Sequence, residues 1–416
     1  MKTFVFLTSE FYPYGDASGI CVKNIADELK KEGHRIFVLC DGVGASLVND
    51  DINIIPVKPT LFKRIKVLCY KKNTFLYKTL YKTSFIVRRL FLGITAFMNF
   101  PNVSPLRTRL VYKTLDNLSK KEKIDYVIAT FRPYDNVEAL NKFKIKHKNI
   151  KSAVVYLDLL HSENPFGKIF KNYFDYLCAK SEKRTFNIND LLLIPESSKE
   201  KYTSDTYKLA KEKIQFFDFP LFLSSENIKI KKENKNKDFT IAYAGSIDGK
   251  NRCAKYFLSL INQINKRFGL NIKIEFYGNY KEAIKDDYEN YDFVKFMGMI
   301  PFDRVYEVLC SADCILSISN KITFDMIPSK IFQSFSTCNK VINIVTNKND
   351  LSLKYFNKYP CSLNIFEYEK NIEKDLESLK DFLLKEFILP DYNDVREIYI
   401  ENTPQKFLEK LKNLKR

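Results

Sequence analysis

The chain has 416 residues, 45% hydrophobic and 28% charged, a balance that builds packed cores and argues against a disordered or fibrous protein. At roughly 100 to 200 residues per domain, two or three domains are expected. The formal charge of +18 at pH 7 points to anionic partners.

The first forty residues predict strand, loop, helix, strand. Thr3 to Leu7 is a continuous apolar run, as in a parallel strand covered on both faces, and Ser9 and Glu10 interrupt it before it could serve as a signal peptide. A loop, TSEFYPYGDASG, follows with Gly15 and Gly19, and then Val22, Ile25, Ala26 and Leu29 share one helical face, with Gly33 as the stop signal. Arg35 to Cys40 is the second strand, and a strand, helix and strand in this order imply a right-handed parallel unit.

From Ile52 to Leu115 there is no Asp or Glu, yet Lys58, Lys63, Arg64, Lys66, Lys71, Lys72, Lys78, Lys82, Arg88, Arg89, Arg107, Arg109 and Lys113 all fall there, interleaved with Phe and Tyr. Basic residues beside apolar ones suit an anionic membrane surface, so residues 58–113 are expected to dock on one. A solvated amphipathic face is the plain alternative. Nucleic acid would be drawn by the same charge, but no recognisable nucleic-acid-binding motif accompanies it, and none is expected as a partner. The longest apolar run, Leu90 to Met98, is far short of the ~20 residues that cross a bilayer. A cytoplasmic protein, peripheral on the inner face of the cell membrane, is the expectation.

After Val154 to Glu163, VVYLDLLHSE, the next clear boundary is Ser224 to Asp238, crowded with charge and asparagine, which reads as a linker. The alternation then resumes. Phe239 to Ser246 is a strand entering a glycine turn, Tyr256 to Arg267 is helical, and Ile272 to Gly278 is a strand. Tyr291 to Ile300, Asp303 to Ala312 and Asp313 to Ser319 continue as strand, helix and strand, and Thr403 to Arg416 closes with an amphipathic helix bearing Phe407, Leu408 and Leu411. The fold class expected is α/β with two Rossmann-like domains facing across a cleft, 1–223 and 239–390, with 391–416 as a helical tail. Nine cysteines are scattered singly; Cys310 and Cys314, the closest pair, would stand one helical turn apart, and reduced, buried thiols are expected rather than a metal site.

One stretch carries chemistry. In DMIPSKIFQ, Asp325 to Gln333, Pro328 and Ser329 suit a helix entry, Ser329 as N-cap, and Ile331, Phe332 and Phe335 would pin the helix to a sheet. The helix then starts at Lys330, whose charge adds to unpaired N–H groups, so a phosphate or diphosphate fits. The plain alternative is a capped helix with a solvated Lys330 and a Gln333 packed at its edge.

The whole arrangement resembles the GT-B glycosyltransferases, especially the retaining, sugar-nucleotide-dependent group known as glycosyltransferase family 4. That group carries an acidic residue, seven residues and a glutamate, often around PSK; here Asp325, seven residues and Gln333 stand in that pattern, with neutral Gln333 in place of glutamate. The resemblance implies that Asp325 contacts the donor sugar, Ser329 and Lys330 the diphosphate, and Gln333 the ribose hydroxyls. DASG resembles the family's glycine loop, where Gly19 would let the donor diphosphate or the acceptor approach the backbone, and AGSIDGKNR resembles the loop from which Arg252, with Lys255, would reach the diphosphate. VVYLDLLHSE resembles the strand and loop that place a histidine near the reacting sugar, here His161; Asp158 reads as an end-of-strand residue. Asn339 would take the left-handed conformation where the family has glycine near the end of the PSK helix.

What the resemblance implies is transfer of a sugar from a nucleotide diphosphate sugar, UDP first and GDP next, to a glycan or lipid-linked acceptor in bacterial surface polysaccharide assembly. The first domain would bind the acceptor and the second the nucleotide sugar, with no metal or other cofactor. Two rivals stay open: an epimerase or hydrolase of the same fold, and a non-catalytic partner protein.

Overall fold

The structure, a computed structural model, describes residues 1–9, 11, 17–41, 52–62, 64–65, 68, 75–101, 104–131, 133–157, 160, 169–223, 239–280, 288, 290–322, 327–328 and 330–415. Asp158, His161, Asp325, Ser329 and the linker at 224–238 lie outside them. The chain forms two compact units, one of Met1–Pro220 with Pro404–Arg416 and one of Leu221–Thr403.

In the first unit, seven strands make one parallel sheet: β1 Thr3–Leu7, β2 Arg35–Asp41, β3 Asn53–Val57, β4 Tyr126–Phe131, β5 Lys151–Tyr156, β6 Leu191–Pro195 and β7 Ile214–Phe217, in the order β3-β2-β1-β4-β5-β6-β7. Its helices include α1 Ala17–Lys31, α2 Phe75–Asn99, α3 Pro105–Ser119, α4 Tyr134–Lys146 and α5 Lys171–Ile188. The apolar runs read from the sequence are central strands because both sheet faces are covered. On β1, Val5 and Leu7 enter the core that includes Val111, Leu115, Val137 and Phe174, while Phe4 and Phe6 enter the opposite core with Val22, Ile25 and Leu29. That is the period of two expected of a strand buried on both sides.

Helix α1 begins at Ala17, so Gly19, expected in the preceding loop, lies in its first turn. The apolar stripe explains the earlier start: Ser18 and Cys21, both buried, extend the Val22 and Ile25 face back by a turn.

The second unit repeats the plan with six parallel strands: β8 Phe239–Ala244, β9 Ile272–Tyr277, β10 Val294–Gly298, β11 Cys314–Ile318, β12 Lys340–Val345 and β13 Ser362–Phe366, in the order β10-β9-β8-β11-β12-β13. Its helices include α6 Lys255–Phe268, α7 Phe302–Ser311, α8 Lys330–Ser336, α9 Ile372–Leu384 and α10 Tyr392–Ile398. A last helix, α11 Pro404–Leu411, returns to the first unit, where Phe407, Leu408 and Leu411 share a core with α1 and the Phe407 ring meets Phe217 edge-on at 5.1 Å. The stretch 391–416, expected as a separate tail, is thus divided between the units at Thr403, because the apolar face of α11 is completed by the first unit.

Two local expectations change. Cys310 lies near the end of α7 and Cys314 opens β11, so the pair does not share a helix; both thiols are buried. After α8 it is Cys338, with φ +57°, that takes the left-handed conformation and not Asn339. The Asn339 amide is held instead, donating to the carbonyls of Leu309 at 3.3 Å and Ala312 at 2.6 Å, which fixes the turn from its far side.

Candidate functional site

The strand order of the second unit reverses between β8, its first strand, and β11, its fourth. In an open parallel sheet this switch point, at the carboxyl ends of the strands, leaves a crevice where ligands bind. A pocket lies there, open in part to solvent. It is lined by Tyr243 to Gly245 at the end of β8, Ile315 to Ile318 of β11, Arg252, and Pro328, Lys330, Ile331 and Ser334 at the start of α8.

Glycine makes the pocket's inner edge possible. A Cβ on Gly245 would come within 2.5 Å of the Tyr243 hydroxyl, and one on Gly278, which has φ +134°, within 2.2 Å of the Gly245 carbonyl oxygen. The second contact is backbone against backbone and cannot be relieved by a side-chain rotation. The turns after β8 and β9 therefore pack against each other, locked by the Gly245 N–H donating to Tyr277 O at 2.8 Å.

Arg252 is positioned by a loop clamp. One Asp248 carboxylate oxygen accepts from the backbone N–H groups of Lys250, Asn251 and Arg252 at 2.9, 2.7 and 3.0 Å. The Arg252 Nε donates to Asn320 Oδ1 at 2.8 Å, and the Asn251 amide donates to the same oxygen at 3.3 Å. Asn320, just after β11, is buried, so the loop after β8 is tied to the loop after β11 across the switch point. The buried Tyr243 hydroxyl beside the guanidinium donates to the Ser246 carbonyl at 3.1 Å. The Asn320 bond uses one of the five N–H donors of Arg252 and orients its planar fork.

Lys330 opens α8 and faces the same pocket. Burial, and after it the charge of Arg252, push its ammonium down to about 8. No carboxylate of a described residue pairs with it. Two cations thus share one recess, where their repulsion is relieved by an anion. A diphosphate fits this arrangement: a point charge from Lys330 and a planar fork from Arg252, both lining the pocket with Gly245.

The remaining sequence-predicted residues stand apart. Gln333, one turn farther along α8, is buried with Oε1 lacking a hydrogen-bond partner, and it is not among the pocket's lining residues. Lys255 is exposed in the first turn of α6 and does not line the pocket. Gly19 belongs to the first unit. His161, Asp325 and Ser329 lie outside the described residues. Of the expected set, Arg252 and Lys330 are brought together.

Asp248 and Asn320, which position Arg252, were not anticipated from sequence. An Asp-Gly pair in AGSIDGKNR was the available sign of a turn. Also unforeseen is a polar cluster at the switch point of the first unit, between β1 and β4. There Arg107 pairs with Asp41 at 2.7 Å and donates to Asn136 Oδ1 at 3.1 Å, with Asp135 at 3.9 Å. Burial pushes Asp135 up to about 6 against the pull of Arg107.

No family model and no curated protein matches this sequence. Solved structures do. The chain is similar over its full length to a sucrose-phosphate synthase from Thermosynechococcus elongatus, with 9% identity, 98% of that chain covered and a TM-score of 0.60. It is similar to S. aureus TarM, solved as a mutant in complex with fondaparinux, α-GlcNAc-glycerol and UDP, with 14% identity, coverage of 100% of this chain and 99% of the other, and a TM-score of 0.58. A protein described as a putative UDP-N-acetylglucosamine 2-epimerase from Listeria monocytogenes matches 98% of each chain with 10% identity and a TM-score of 0.55. At these identities the likeness is one of fold. The two parallel sheets of seven and six strands are the two Rossmann-like domains of the GT-B fold.

Proposed function

We propose that this chain is a glycosyltransferase that moves a sugar from a nucleotide diphosphate sugar to a hydroxyl of a glycan or lipid-linked saccharide. The observation that carries the reading is the pairing of Arg252 with Lys330 in the switch-point pocket of the second unit, two cations without a described carboxylate between them. Among GT-B neighbours, the TarM structure holds UDP, which makes UDP the first nucleotide to test.

In this reading the chemistry is electrostatic. As the bond from the sugar to the diphosphate breaks, negative charge grows on the leaving oxygens, and groups already fixed beside them lower the barrier. Arg252, oriented by Asn320, and Lys330 are those groups. Gln333 is assigned to the ribose, its unmatched Oε1 being the acceptor that donor binding must turn toward the pocket. Asp325 is assigned to the donor sugar, Ser329 to the diphosphate beside Lys330, and His161 to the reacting centre. The same resemblance assigns Gly19 and Lys255 to the diphosphate. Transfer with retention, as in family 4, a role in bacterial surface polysaccharide assembly, and no resident cofactor complete the proposal.

The similarity to a protein described as an epimerase keeps a second reading alive, conversion of a nucleotide sugar without an acceptor. One experiment separates them. The purified chain is incubated with UDP- and GDP-sugars, with and without extracted lipid-linked saccharides, and nucleoside diphosphate release is followed. Release that needs acceptor and disappears in Arg252→Ala supports transfer. Donor conversion without acceptor replaces it with the epimerase or hydrolase reading, and no turnover with any donor replaces it with the non-catalytic partner.

A further inference from the structure

Helix α2 is unusual within its unit. It runs for 25 residues, about 37 Å at the usual rise, yet among its described side chains Ala96 is the one buried. Leu80, Val87, Phe91, Ile94 and Met98 follow one another at spacings of seven, four, three and four, which places them on a single face. Ala96 lies on the opposite side. The outward face is apolar and open to solvent: Leu90 is 65% exposed, Ile94 67% and Met98 79%.

The apolar surface does not end with α2. At its carboxyl end the Phe97 ring meets Phe170 edge-on at 5.3 Å and stacks on Tyr173 at 6.1 Å, and the Tyr173 hydroxyl donates to the Phe97 carbonyl at 2.8 Å. Phe170 and Tyr173, at the start of α5, are themselves exposed. Two elements far apart in sequence therefore present one continuous patch. Exposed apolar patches of this kind mark interaction sites.

Charge identifies the occupant. Lys82, Arg88 and Arg89 are exposed on the same helix, and no described acidic residue pairs with them. No Asp or Glu occurs anywhere from Ile52 to Leu115. A second copy is a poor fit: two α2 helices paired through their stripes about a twofold axis near their midpoint would bring the two Arg88 side chains, which flank the stripe, to one edge of the contact with no carboxylate on the helix to offset them. An anionic lipid surface complements both features, headgroups for the cations and acyl chains for the stripe. With Lys82, Arg88 and Arg89 inside it, α2 is suited to lie in the interface, and no helix among the described residues is long and apolar enough to cross a membrane.

We propose that the outward face of α2, continued by Phe170 and Tyr173, inserts into the outer part of an anionic lipid bilayer with α2 parallel to its plane. This sharpens the expectation for residues 58–113 into a defined stripe and adds a contribution from α5. It does not rest on the donor pocket, which belongs to the other unit, so either reading can fail alone.

The chain has no tryptophan, which makes the test direct. The full chain carrying Ile94→Trp has one indole, in the middle of the proposed stripe. It is mixed with vesicles of phosphatidylcholine alone or with about 30 mol% phosphatidylglycerol, an anionic surface of the kind that attracts basic segments, and flotation and emission are read together. Expected is flotation with the anionic vesicles, a blue shift of the indole, and release by salt. Arg88→Gln with Arg89→Gln should weaken binding about 25-fold, from roughly fivefold per basic residue. Leu90→Asp with Ile94→Asp should abolish it, with circular dichroism confirming that the fold persists. Absence of flotation by folded protein overturns the proposal. So does self-association in solution that Leu90→Asp with Ile94→Asp disrupts while vesicles bind nothing, an outcome that assigns the stripe to a second copy. Flotation without a blue shift overturns insertion.

Discussion

Replacing Lys330 by methionine should make the ligand-free protein more stable. In the folded chain burial and the neighbouring Arg252 guanidinium push the ammonium down to about 8, whereas an unfolded lysine titrates near its ordinary value of about 10.4. Below about pH 8 both states carry the proton, so the folded state bears the full penalty of a largely buried charge beside a like charge. At about 1.4 kcal/mol per pKa unit, the upper bound is about 3 kcal/mol. Between about pH 8 and 10.5 the folded state releases its proton first and the penalty fades. Methionine keeps the packing stem and removes the charge. Thermal unfolding of wild type and Lys330→Met is compared at about pH 7 and about pH 10.5, on either side of that window; for a unit of this size about 2–4 °C is expected for each kcal/mol. The variant should melt higher at the lower pH, and the difference should shrink at the higher. A variant that melts lower at both values, with no change between them, would overturn this expectation, because Lys330 would then be stabilised by a partner and not poised for a ligand.

Three other outcomes follow from the same geometry. Asn320→Ala removes the acceptor of the Arg252 Nε, and the loosened guanidinium should bind a nucleoside diphosphate about tenfold more weakly, measured by calorimetry; unchanged affinity would show that the Asp248 clamp suffices. Gly278→Ala sets a Cβ against the Gly245 carbonyl at a φ of +134°, and should cost about 2 kcal/mol or more in urea unfolding, while a cost under about 0.5 kcal/mol would contradict the close approach of the two turns. Burial pushes the Cys310 thiol up to about 11 and Cys314 up to about 12, so mass spectrometry after brief maleimide treatment at neutral pH should find both unmodified until the protein is unfolded; rapid labelling of the folded chain would contradict their burial.

The architecture could largely be read from the sequence because its strands are buried on both faces. Runs such as Thr3 to Leu7 and Phe239 to Ala244 announce themselves without any alternation, and the amphipathic stripes of α1, α6 and α11 supply the covering layers. What escaped the sequence depends on partners distant along the chain. That Asn320 holds Arg252 is a contact across 68 positions, and nothing local to either residue encodes it. The choice of Cys338 over Asn339 for the left-handed turn is another case: local propensity favours asparagine there, but the carbonyls of Leu309 and Ala312 claim its amide. Composition marked 58–113 as basic and aromatic, yet only the helix geometry sorts α2 into an apolar face with Arg88 on its flank and Lys82 and Arg89 on the other side.

Whether Arg252 and Lys330 form a diphosphate site is decided by titrating UDP and GDP into the wild-type protein and into Arg252→Ala. Isothermal calorimetry near the depressed Lys330 value, at about pH 8 and in two buffers of different ionisation enthalpy, reads affinity and proton exchange together. Expected are saturable binding of one diphosphate by the wild type, at least about tenfold weaker binding by the variant, and net proton uptake as the anion restores the charge on Lys330. Equal affinity in both proteins, or binding without proton uptake, would show that these two cations do not hold the ligand.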